Sequence, residues 1–408
     1  MKYRDYQIEI IKKTIAVVSK SKFVYLSMQV RTGKTLTAMG VAEKLNVSRV
    51  LFVTKKKAIS SIEDDYNKLS PPYDIVIINY ESLHKIQGQF DLIVLDEAHS
   101  MGAYPKPSKR AKQVKDIIKS NNPYVILMSG TPTPESFSQL YHQVYACPQN
   151  PFRHHSNFYK FAKQYVDVVQ IKIGAMPHND YSRGRVSILE EMKPYMISYT
   201  QKEAGFKVKT VEEIIRIPMS ELTYKMTAEL KKSSVIEGES EVILADTGVK
   251  LMSKLHQLYS GTVKFESGKA QVIDKTKAEF IQTKFKDMKV GIFYKFKAEY
   301  EALKSVLGDT LTSDIKEFQE TDKNIALQIV SGREGISLKE ADCLVYYNID
   351  FSALSYWQSR DRMTTKDSTL NKVFWIFSQK GIEDKIYKAV SKKKDYTLSH
   401  FKKDLLSL

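Results

Sequence analysis

The stretch FVYLSMQVRTGKT, residues 23–35, decides the fold, because an apolar run passes through a short polar loop into a helical pattern. Phe23 to Leu26 are β-prone, and the apolar residues that follow Thr35 recur at helical spacing. The stretch therefore predicts a strand, a loop and a helix. Backbone amides at the start of such a helix face an anion, which the positive end of the helix dipole also favours.

The tripeptide Gly33-Lys34-Thr35 has the residue types of a phosphate-binding loop. In such a loop Lys34 would reach the β- and γ-phosphates, and the Thr35 hydroxyl would ligate Mg²⁺. The loop Gln29–Gly33 has a single glycine, however, and lacks the earlier glycine of the full pattern. Taken alone, the tripeptide is therefore equally compatible with an ordinary helix N-terminus.

A second stretch, LIVLDEAH at residues 92–99, predicts a buried strand that ends in two carboxylates. Ligands in open α/β sheets bind at the carboxyl ends of strands. Asp96 suits the metal-holding acid of a phosphoryl-transfer site, and Glu97 suits the base that orients the attacking water. A solvated acidic loop is the alternative, but the strand before it and Lys34 upstream disfavour it. The two stretches together predict an ATP-hydrolysing site with catalytic Lys34, Asp96 and Glu97, and with Mg²⁺ held by Thr35 and Asp96.

Composition indicates a globular protein with more than one domain. The 408 residues, 42% of them hydrophobic, leave room for two or three domains with sizeable cores. Cys147 and Cys343 provide no disulfide framework and no metal-ligand spacing. Since we find no signal-peptide core and no apolar run of membrane-spanning length, we expect a soluble cytoplasmic protein without a membrane partner.

A net charge of +16 indicates a partner made of phosphate, although a lysine-rich solvated surface would give the same count. Residues 153–163 interleave basic and aromatic side chains, which suits backbone contacts and stacking on bases. The aromatic residues Phe158, Tyr159 and Phe161 are explained more simply as the buried face of a helix. The pair His154-His155 has no further ligand at metal-binding spacing, so we reject a metal site there.

The hydrophobic pattern divides the chain into two similar halves around a less regular middle. Residues 1–140 alternate strands and helices, as in a parallel sheet covered by helices on both faces. Residues 141–205 are broken by prolines and glycines and predict a small, mostly helical insertion. Residues 206–408 form the second domain, whose start we place between 206 and 260. The predicted strands after the first are 50–53, 75–78, 92–95, 125–128, 211–217, 290–293, 325–329, 343–347 and 373–377.

Further motifs occur in a fixed order along nearly the whole chain. They are Arg4-Asp5-Tyr6-Gln7, Leu51-Phe52-Val53-Thr54, Asn79-Tyr80-Glu81-Ser82-Leu83, Ser129-Gly130-Thr131-Pro132, Ser331 to Leu338, and Gln358-Ser359-Arg360-Asp361-Arg362. With these motifs the chain resembles the superfamily 2 DEAH-type helicases and translocases, and among them the Swi/Snf-like branch and its compact bacteriophage members. The resemblance implies two tandem RecA-like domains.

The resemblance also implies a role for each matching residue. Nucleotide contacts are implied for Gln7, which reads adenine in the family, and for Arg4, Arg31, Thr32, Gly33, Lys34, Thr35 and Gly335. Coupling of hydrolysis to domain movement is implied for His99, Ser129, Thr131 and Gln358. DNA contacts are implied for Thr54, Lys55, Lys56, Asn79, Tyr80, Ser331, Gly332 and Arg333.

One arginine position departs from the family pattern. Related proteins carry two arginines, at the fourth and seventh positions after the motif VI glutamine. Arg362 fills the first of these, but Thr365 stands at the second. We predict Arg362 as the catalytic arginine and Arg360 as a second candidate, with Lys366 as a further substitute. For Arg360, an ion pair with Asp361 is the alternative.

The sequence therefore predicts an ATP-dependent translocase or helicase that acts as a monomer on duplex, forked or branched DNA. An RNA helicase is disfavoured, because Val53-Thr54-Lys55-Lys56-Lys57 stands where that class has Pro-Thr-Arg-Glu-Leu. An ATP-switched clamp, or a subunit of a nuclease or packaging complex, is the remaining alternative.

Overall fold

The computed structural model describes residues 2–173, 176–238, 240–332, 336–365 and 369–392. The chain divides into two compact units, Met1–Phe206 and Lys207–Leu408. Each unit is built on one six-stranded sheet in which every neighbouring pair of strands is parallel. This confirms the predicted α/β class with two parallel-sheet domains.

The helices and strands of the first unit follow the predicted alternation. They are α1 (Asp5–Ser21), β1 (Phe23–Met28), α2 (Lys34–Lys44), β2 (Arg49–Thr54), α3 (Ile59–Leu69), β3 (Asp74–Asn79), β4 (Leu92–Leu95), α4 (Lys109–Asn121), β5 (Tyr124–Met128), α5 (Leu140–Val144), α6 (Phe158–Tyr165), β6 (Val169–Ile173), β7 (Met176–Asp180), α7 (Ser187–Met192) and β8 (Met196–Tyr199).

The sheet of the first unit has the strand order β3-β2-β4-β5-β1-β8 and is buried on both faces. Successive side chains of a strand point to opposite faces. Phe23 and Tyr25 therefore pack in one layer with α4 to α7, and Val24 and Leu26 pack in the other with α1 to α3. Burial on both faces explains why the central strands are continuous apolar runs instead of alternating ones.

The segment predicted as a mostly helical insertion, residues 141–205, lies within the first unit. It contains α6, the antiparallel hairpin β6–β7, α7 and β8. Strand β8 pairs in parallel with β1, with Tyr25 opposite Met196, and so extends the sheet at its edge. The side chains of β8 are half-buried or exposed, so this strand lacks the apolar run that marked the others in the sequence.

The second unit repeats the alternation with more elements. They are β9 (Lys209–Ile217), α8 (Glu221–Ser233), β10 (Val235–Glu237), β11 (Val242–Leu244), α9 (Gly248–Tyr259), β12 (Thr262–Lys264), β13 (Ala270–Val272), α10 (Thr276–Lys284), β14 (Val290–Tyr294), α11 (Lys297–Leu307), β15 (Leu311–Thr312), α12 (Ile315–Glu320), β16 (Asn324–Gln328), α13 (Ile329–Gly332), β17 (Cys343–Tyr346), α14 (Ala353–Arg360), β18 (Leu370–Ser378) and α15 (Glu383–Val390).

The sheet of the second unit has the strand order β15-β16-β14-β17-β18-β9. The edge strand β9 pairs with β18 along its whole length, from Lys209 opposite Leu370 to Ile217 opposite Ser378. The first strand of the unit is therefore joined to the last one. This pairing holds an early and a late segment of the unit together in one sheet.

A buried carboxylate, Glu212, fastens strand β9 to the elements beside it. Glu212 accepts hydrogen bonds from the hydroxyls of Tyr356 (3.0 Å) and Tyr387 (3.2 Å) and from Trp375 Nε1 (2.9 Å). Arg360 forms an ion pair with the same carboxylate, and both side chains are 16% exposed. One acceptor thus links β9 to α14, β18 and α15.

Replacing Glu212 by alanine should lower the free energy of unfolding of the second unit by about 3 to 5 kcal/mol, because the Arg360 charge loses its partner in a largely buried place. Both tryptophans, Trp357 and Trp375, lie in this unit, so their fluorescence during urea unfolding reports on it selectively. Glu213→Ala, at an exposed position of the same strand, is the matched control and should stay within about 0.5 kcal/mol. Equal losses in the two variants would contradict the role of Glu212.

Within the described ranges, every helix is too short or too polar to span a lipid bilayer.

Candidate active site

Three parallel strands bring the predicted catalytic segments together. Strand β5 lies between β1 and β4 in the sheet. The segments that follow these three strands therefore emerge at the same edge, with Ser129 between the loop that ends at Gly33 and the acidic segment that begins at Asp96. The site is thus assembled by the strand order and not by sequence proximity.

The phosphate loop requires glycine at position 33 for two reasons. Gly33 caps α2 with a left-handed φ of 78°, which side chains rarely adopt. A Cβ atom there would also lie 2.4 Å from Gln7 Nε2. The earlier glycine of the full pattern would fall on Met28, which is buried at the end of β1. The loop instead makes its turn with Arg31 at a φ of 65°.

Helix α1 holds the loop from one side. Gln7 Nε2 donates to the Gly33 carbonyl at 3.3 Å, and Gln7 Oε1 accepts from the Arg4 amide at 2.9 Å. The Tyr6 hydroxyl donates to the Thr32 carbonyl at 3.2 Å. Gln7 and Arg4 therefore lie beside the loop as predicted, and the adenine contact of Gln7 stays a prediction.

Residues after β8 hold the loop from the other side. The Gln201 amide donates to Gln29 Oε1 at 2.7 Å, and Gln201 Nε2 donates to the Val30 carbonyl at 3.0 Å. The Tyr199 ring stacks on Tyr6 with centroids 5.0 Å apart. We did not predict this support, and no local signal marks Gln201, because its partners lie about 170 positions away in the sequence.

Asp96 is fixed at the end of β4 by its neighbours in the sheet. The Asp96 amide donates to the Val53 carbonyl, and the Thr54 hydroxyl donates to Asp96 Oδ2, both at 2.8 Å. The Tyr80 hydroxyl donates to the Asp96 carbonyl at 2.6 Å. Thr54 and Tyr80 were predicted to contact DNA, but both are buried, so the structure gives them the positioning of Asp96 instead.

Burial raises the pKa of Asp96 to about 6, and the negative charge of Glu97 adds to this effect. The charge of Lys34 and the hydrogen bond from Thr54 oppose the shift. Burial also disfavours the charged form of Glu97, but the contact with His99 and the charge of Lys34 outweigh it, and the pKa of Glu97 is lowered to about 2. At neutral pH both carboxylates are therefore charged and close together.

This pair of buried negative charges fits a divalent cation. Within the part of the chain that the structure describes, no group of three or more His, Cys, Asp or Glu side chains could hold a metal. Mg²⁺ in nucleotide sites uses one or two carboxylates together with phosphate oxygens and water, and the carboxylate of Asp96 with the hydroxyl of Thr35 matches that set. The arrangement thus suits an ion that arrives with a nucleotide.

His99 lies between the acidic pair and the segment after β5. Its Nδ1 is 3.2 Å from Glu97 Oε2 and 2.9 Å from Ser129 Oγ. Nδ1 carries at most one proton: when protonated it can donate to Glu97 or to Ser129, and when unprotonated it accepts from the Ser129 hydroxyl. Ser129 Oγ also accepts from the Thr131 amide at 3.0 Å. The structure therefore brings together the three coupling residues predicted in the first unit.

Two further residues support the segment after Ser129. Tyr25 donates its hydroxyl proton to Gln143 Oε1 at 2.6 Å, and Gln143 Nε2 donates to the Pro132 carbonyl at 2.8 Å. Both side chains are buried. We did not predict them, because a tyrosine in a strand and a glutamine in a short helix carry no motif.

The other predicted DNA contacts of the first unit lie close to this edge of the sheet. Lys56 is exposed, and Lys55 is half-buried, with its charge lowering the pKa of Glu97. Asn79 Oδ1 accepts from the Ser82 amide at 3.0 Å and caps a 3₁₀ turn. Lys56 is thus an exposed cation, whereas Asn79 has a local structural bond.

Some of the predicted site residues of the second unit are described by the structure, and others are not. Ser331 and Gly332 lie in α13, whereas Arg333, Gly335 and Lys366 lie outside the described residues. Gln358 is buried in α14, and Arg362 follows that helix.

The two candidate arginines make contacts within their own unit. Arg362 is 5% exposed and donates to the carbonyls of Gln358 (2.9 Å) and Ile336 (3.3 Å). Arg360 pairs with Glu212, not with Asp361 as the alternative interpretation had it, and its guanidinium lies 4.6 Å from the Trp357 ring centroid. The structure thus gives Arg360 a structural partner, while the catalytic role of Arg362 stays a prediction.

The fold and the geometry of this site resemble those of P-loop nucleotide-binding units. Residues 1–134 match the family model described as Type III restriction enzyme, res subunit, which is of superfamily 2 helicase type. The match confirms the resemblance to superfamily 2 helicases, whereas the likeness to bacteriophage members stays a prediction. No curated protein matches the chain.

Two solved structures from Sulfolobus solfataricus resemble the chain at 17% identity and a TM-score of 0.43. One is the SWI2/SNF2 ATPase core in complex with dsDNA, and the match covers 100% of this chain and 93% of that one. The other is the SWI2/SNF2 ATPase core domain, with 96% of this chain and 89% of that one covered.

The raised pKa of Asp96 predicts a pH window for magnesium-dependent nucleotide binding. A proton competes with Mg²⁺ for the carboxylate, so affinity should fall about tenfold per pH unit below pH 6 and stay level above it. Titration of a fluorescent nucleotide with and without Mg²⁺ between pH 5 and about pH 8 measures this. The phosphate groups also titrate in this range, so the comparison is with Asp96→Asn, in which only the phosphate contribution remains. An identical pH dependence in the two proteins would contradict the assignment.

Proposed function

We propose that this protein is a magnesium-dependent ATPase that moves along or remodels DNA. The observation that carries the proposal is the joint arrangement at one sheet edge of the Gly33 loop, the Asp96–Glu97 pair and Ser129. A nucleotide-binding protein needs only the loop, whereas this site adds an ionised base and a second contact to that base through His99. These additions suit hydrolysis that is coupled to movement.

Each residue of the site has a role that follows from its position. Lys34, at the first position of α2, places a positive charge where the phosphates bind, with the helix N-terminus behind it. Asp96 and Thr35 would hold the magnesium ion, which would neutralise charge on the phosphate oxygens when bound. Glu97, with its lowered pKa, is ionised at neutral pH and can orient the attacking water and accept its proton.

His99 connects Glu97 to the segment that begins at Ser129. When His99 Nδ1–H donates to Glu97, Nδ1 cannot accept a hydrogen bond from the Ser129 hydroxyl. When the Ser129 hydroxyl donates to Nδ1, Glu97 receives no hydrogen bond from that nitrogen. A change at Glu97 during hydrolysis therefore alters the hydrogen bonding of the segment Ser129–Thr131. We propose this exchange as the first step that couples hydrolysis to movement.

Nucleic acid is the proposed track, and DNA is favoured over RNA. The net charge of +16 and the exposed Lys56 beside the site suit phosphate contacts that release counterions. The preference for DNA is supported by residues 53–57, which depart from the Pro-Thr-Arg-Glu-Leu motif of RNA helicases. Which DNA structure is used, whether strands are separated, and the roles of Arg362 and Gln358 belong to the same proposal.

The decisive measurement is ATP turnover without nucleic acid and with duplex DNA, single-stranded DNA, a forked or four-way DNA, and RNA. We expect stimulation by DNA. Glu97→Gln should lower stimulated turnover at least about 100-fold, because the base that activates water is lost, while nucleotide binding persists. Glu81→Gln is the matched control, since Glu81 is an exposed acid paired with Arg110 near the same sheet edge, and it should retain turnover.

Three results would each reject part of the proposal. Turnover that does not respond to any nucleic acid would favour the ATP-switched clamp. Stimulation by RNA alone would favour the RNA helicase. Full turnover in Glu97→Gln would remove Glu97 from the catalytic role.

The exchange at His99 predicts a selective defect in Ser129→Ala. This variant keeps Lys34, Asp96 and Glu97 but removes the alternative partner of His99. We expect the ratio of turnover with DNA to turnover without DNA to fall towards one, with a smaller change in the rate without DNA. Ser120→Ala is the control, because the Ser120 hydroxyl donates to the Ile117 carbonyl and accepts from Asn121 Nδ2, both within α4. An unchanged ratio in Ser129→Ala would contradict the coupling role.

A further inference from the structure

The first unit contains a cavity of about 460 Å³ that the mechanism does not use. It is bounded by the segment Pro105–Pro107, by Lys115 of α4, by one face of α5, and by residues between Cys147 and Tyr159. None of its lining residues belongs to the phosphate loop or to Asp96–His99. Its volume is within the usual range for small-molecule sites, about 300 to 1,000 Å³.

One wall of the cavity is aromatic. The rings of Tyr141, His142 and Phe158 pack on one another, with the His142 and Phe158 rings stacked at 5.5 Å and the Tyr141 and Phe158 rings edge to face at 5.6 Å. Tyr159 lies at the rim and is 47% exposed. The sequence pattern predicts that Phe158, Tyr159 and Phe161 form the buried face of a helix. This holds for Phe158 and Phe161 but not for Tyr159.

The rim of the cavity is positively charged. Lys106, Lys115 and Arg153 line it, and no aspartate or glutamate does. Burial lowers the pKa of His142 to about 4, so this ring is neutral at pH 7 and contributes an aromatic surface instead of a charge. Lys115 Nζ lies 4.6 Å from the Tyr145 ring centroid, which places a cation beside an aromatic face.

Two lining side chains have unmet hydrogen-bonding capacity. Within the described ranges, the buried atoms Tyr145 Oη and His155 Nε2 have no hydrogen-bond partner. Buried polar groups are nearly always satisfied, and an exception calls for a bound water or a ligand. Both residues line the same cavity, so a ligand bound there would lie next to both of them.

We propose that this cavity binds a single nucleotide unit, with its base against the exposed ring of Tyr159 and its phosphate near Lys115 and Arg153. Aromatic stacking and a cationic rim together select a flat, anionic ligand, whereas a purely apolar ligand would leave the polar atoms unsatisfied and a metal cation would be repelled. The nucleotide unit is either a free mononucleotide or an unpaired nucleotide of a DNA strand. The cavity shares no lining residue with the phosphate loop, so its occupancy can be tested without ATP hydrolysis.

The test uses the full chain with Lys34→Ala, which disables the phosphate loop and leaves the cavity intact. Calorimetry measures the binding of AMP, thymidine monophosphate and inorganic phosphate. A short single-stranded oligonucleotide that carries 5-iodouracil is cross-linked in parallel. We expect one mononucleotide or one oligonucleotide site, with inorganic phosphate binding at least tenfold more weakly than either. Cross-links should map to Tyr141 or Tyr159 if the occupant is a strand, and mononucleotides should bind as tightly as the oligonucleotide if it is free.

Two substitutions in the cavity, each with a matched control, make the test specific. Arg153→Gln should weaken binding about tenfold through loss of a charged contact, and Tyr145→Phe about fivefold through loss of one hydrogen bond. Arg185→Gln, an exposed arginine outside the cavity, and Tyr124→Phe, whose ring also has a lysine Nζ at 4.6 Å, should leave binding unchanged. The proposal is overturned if neither mononucleotides nor the oligonucleotide bind, if phosphate binds as tightly as the nucleotides, or if the controls lose affinity equally.

Discussion

Two adjacent carboxylates, Asp96 and Glu97, lie at the buried end of a parallel strand, and the cost of placing them there organises the site. Burial disfavours both charges, and each charge disfavours the other. The surrounding residues compensate in different ways. Thr54 donates to Asp96, His99 contacts Glu97, and Lys34 offsets both charges from the next segment of the sheet edge. The pKa of Asp96 stays raised despite these contacts, so its negative charge is only partly compensated and could bind a magnesium ion.

The second unit also contains a carboxylate that is largely removed from water, but there the carboxylate stabilises the packing. Glu212 is surrounded by Tyr356, Trp375, Tyr387 and Arg360, which satisfy it fully from within the unit. Glu383 likewise has its charged partner within the unit: it pairs with Lys277 at 2.9 Å, and neither side chain is exposed to solvent. A satisfied buried carboxylate fixes the packing of the elements around it, whereas an incompletely satisfied one is available for a ligand. This difference separates Glu212 from Asp96 although both are largely removed from water.

The fold and the position of the acidic pair at the edge of the sheet could be predicted because their signals are local. Strands buried on both faces are apolar runs, and Leu92 to Leu95 deliver Asp96 and Glu97 directly. The supporting residues could not be predicted, because their partners are far away in the sequence. Nothing local distinguishes Glu212 from its neighbour Glu213 until the fold brings three aromatic side chains to one of them. Thr54 and Tyr80 show the opposite case. Their motifs suggest DNA contacts, but both side chains are buried, and their hydroxyls donate hydrogen bonds to Asp96.

Helix α5 places two neighbouring residues in two different sites. His142 belongs to the wall of the cavity, and its Nδ1 lies 2.6 Å from the Ala103 carbonyl, shortly after the turn that holds His99. Gln143 connects Tyr25 to the Pro132 carbonyl, in the segment that begins at Ser129. All five residues of the helix are buried, and close-packed elements move as units. Spatial continuity alone does not make two sites communicate, because coupling needs an element with two arrangements. The alternative hydrogen bonds of His99, to Glu97 or to Ser129, are such an element, and they lie between the two segments that His142 and Gln143 contact.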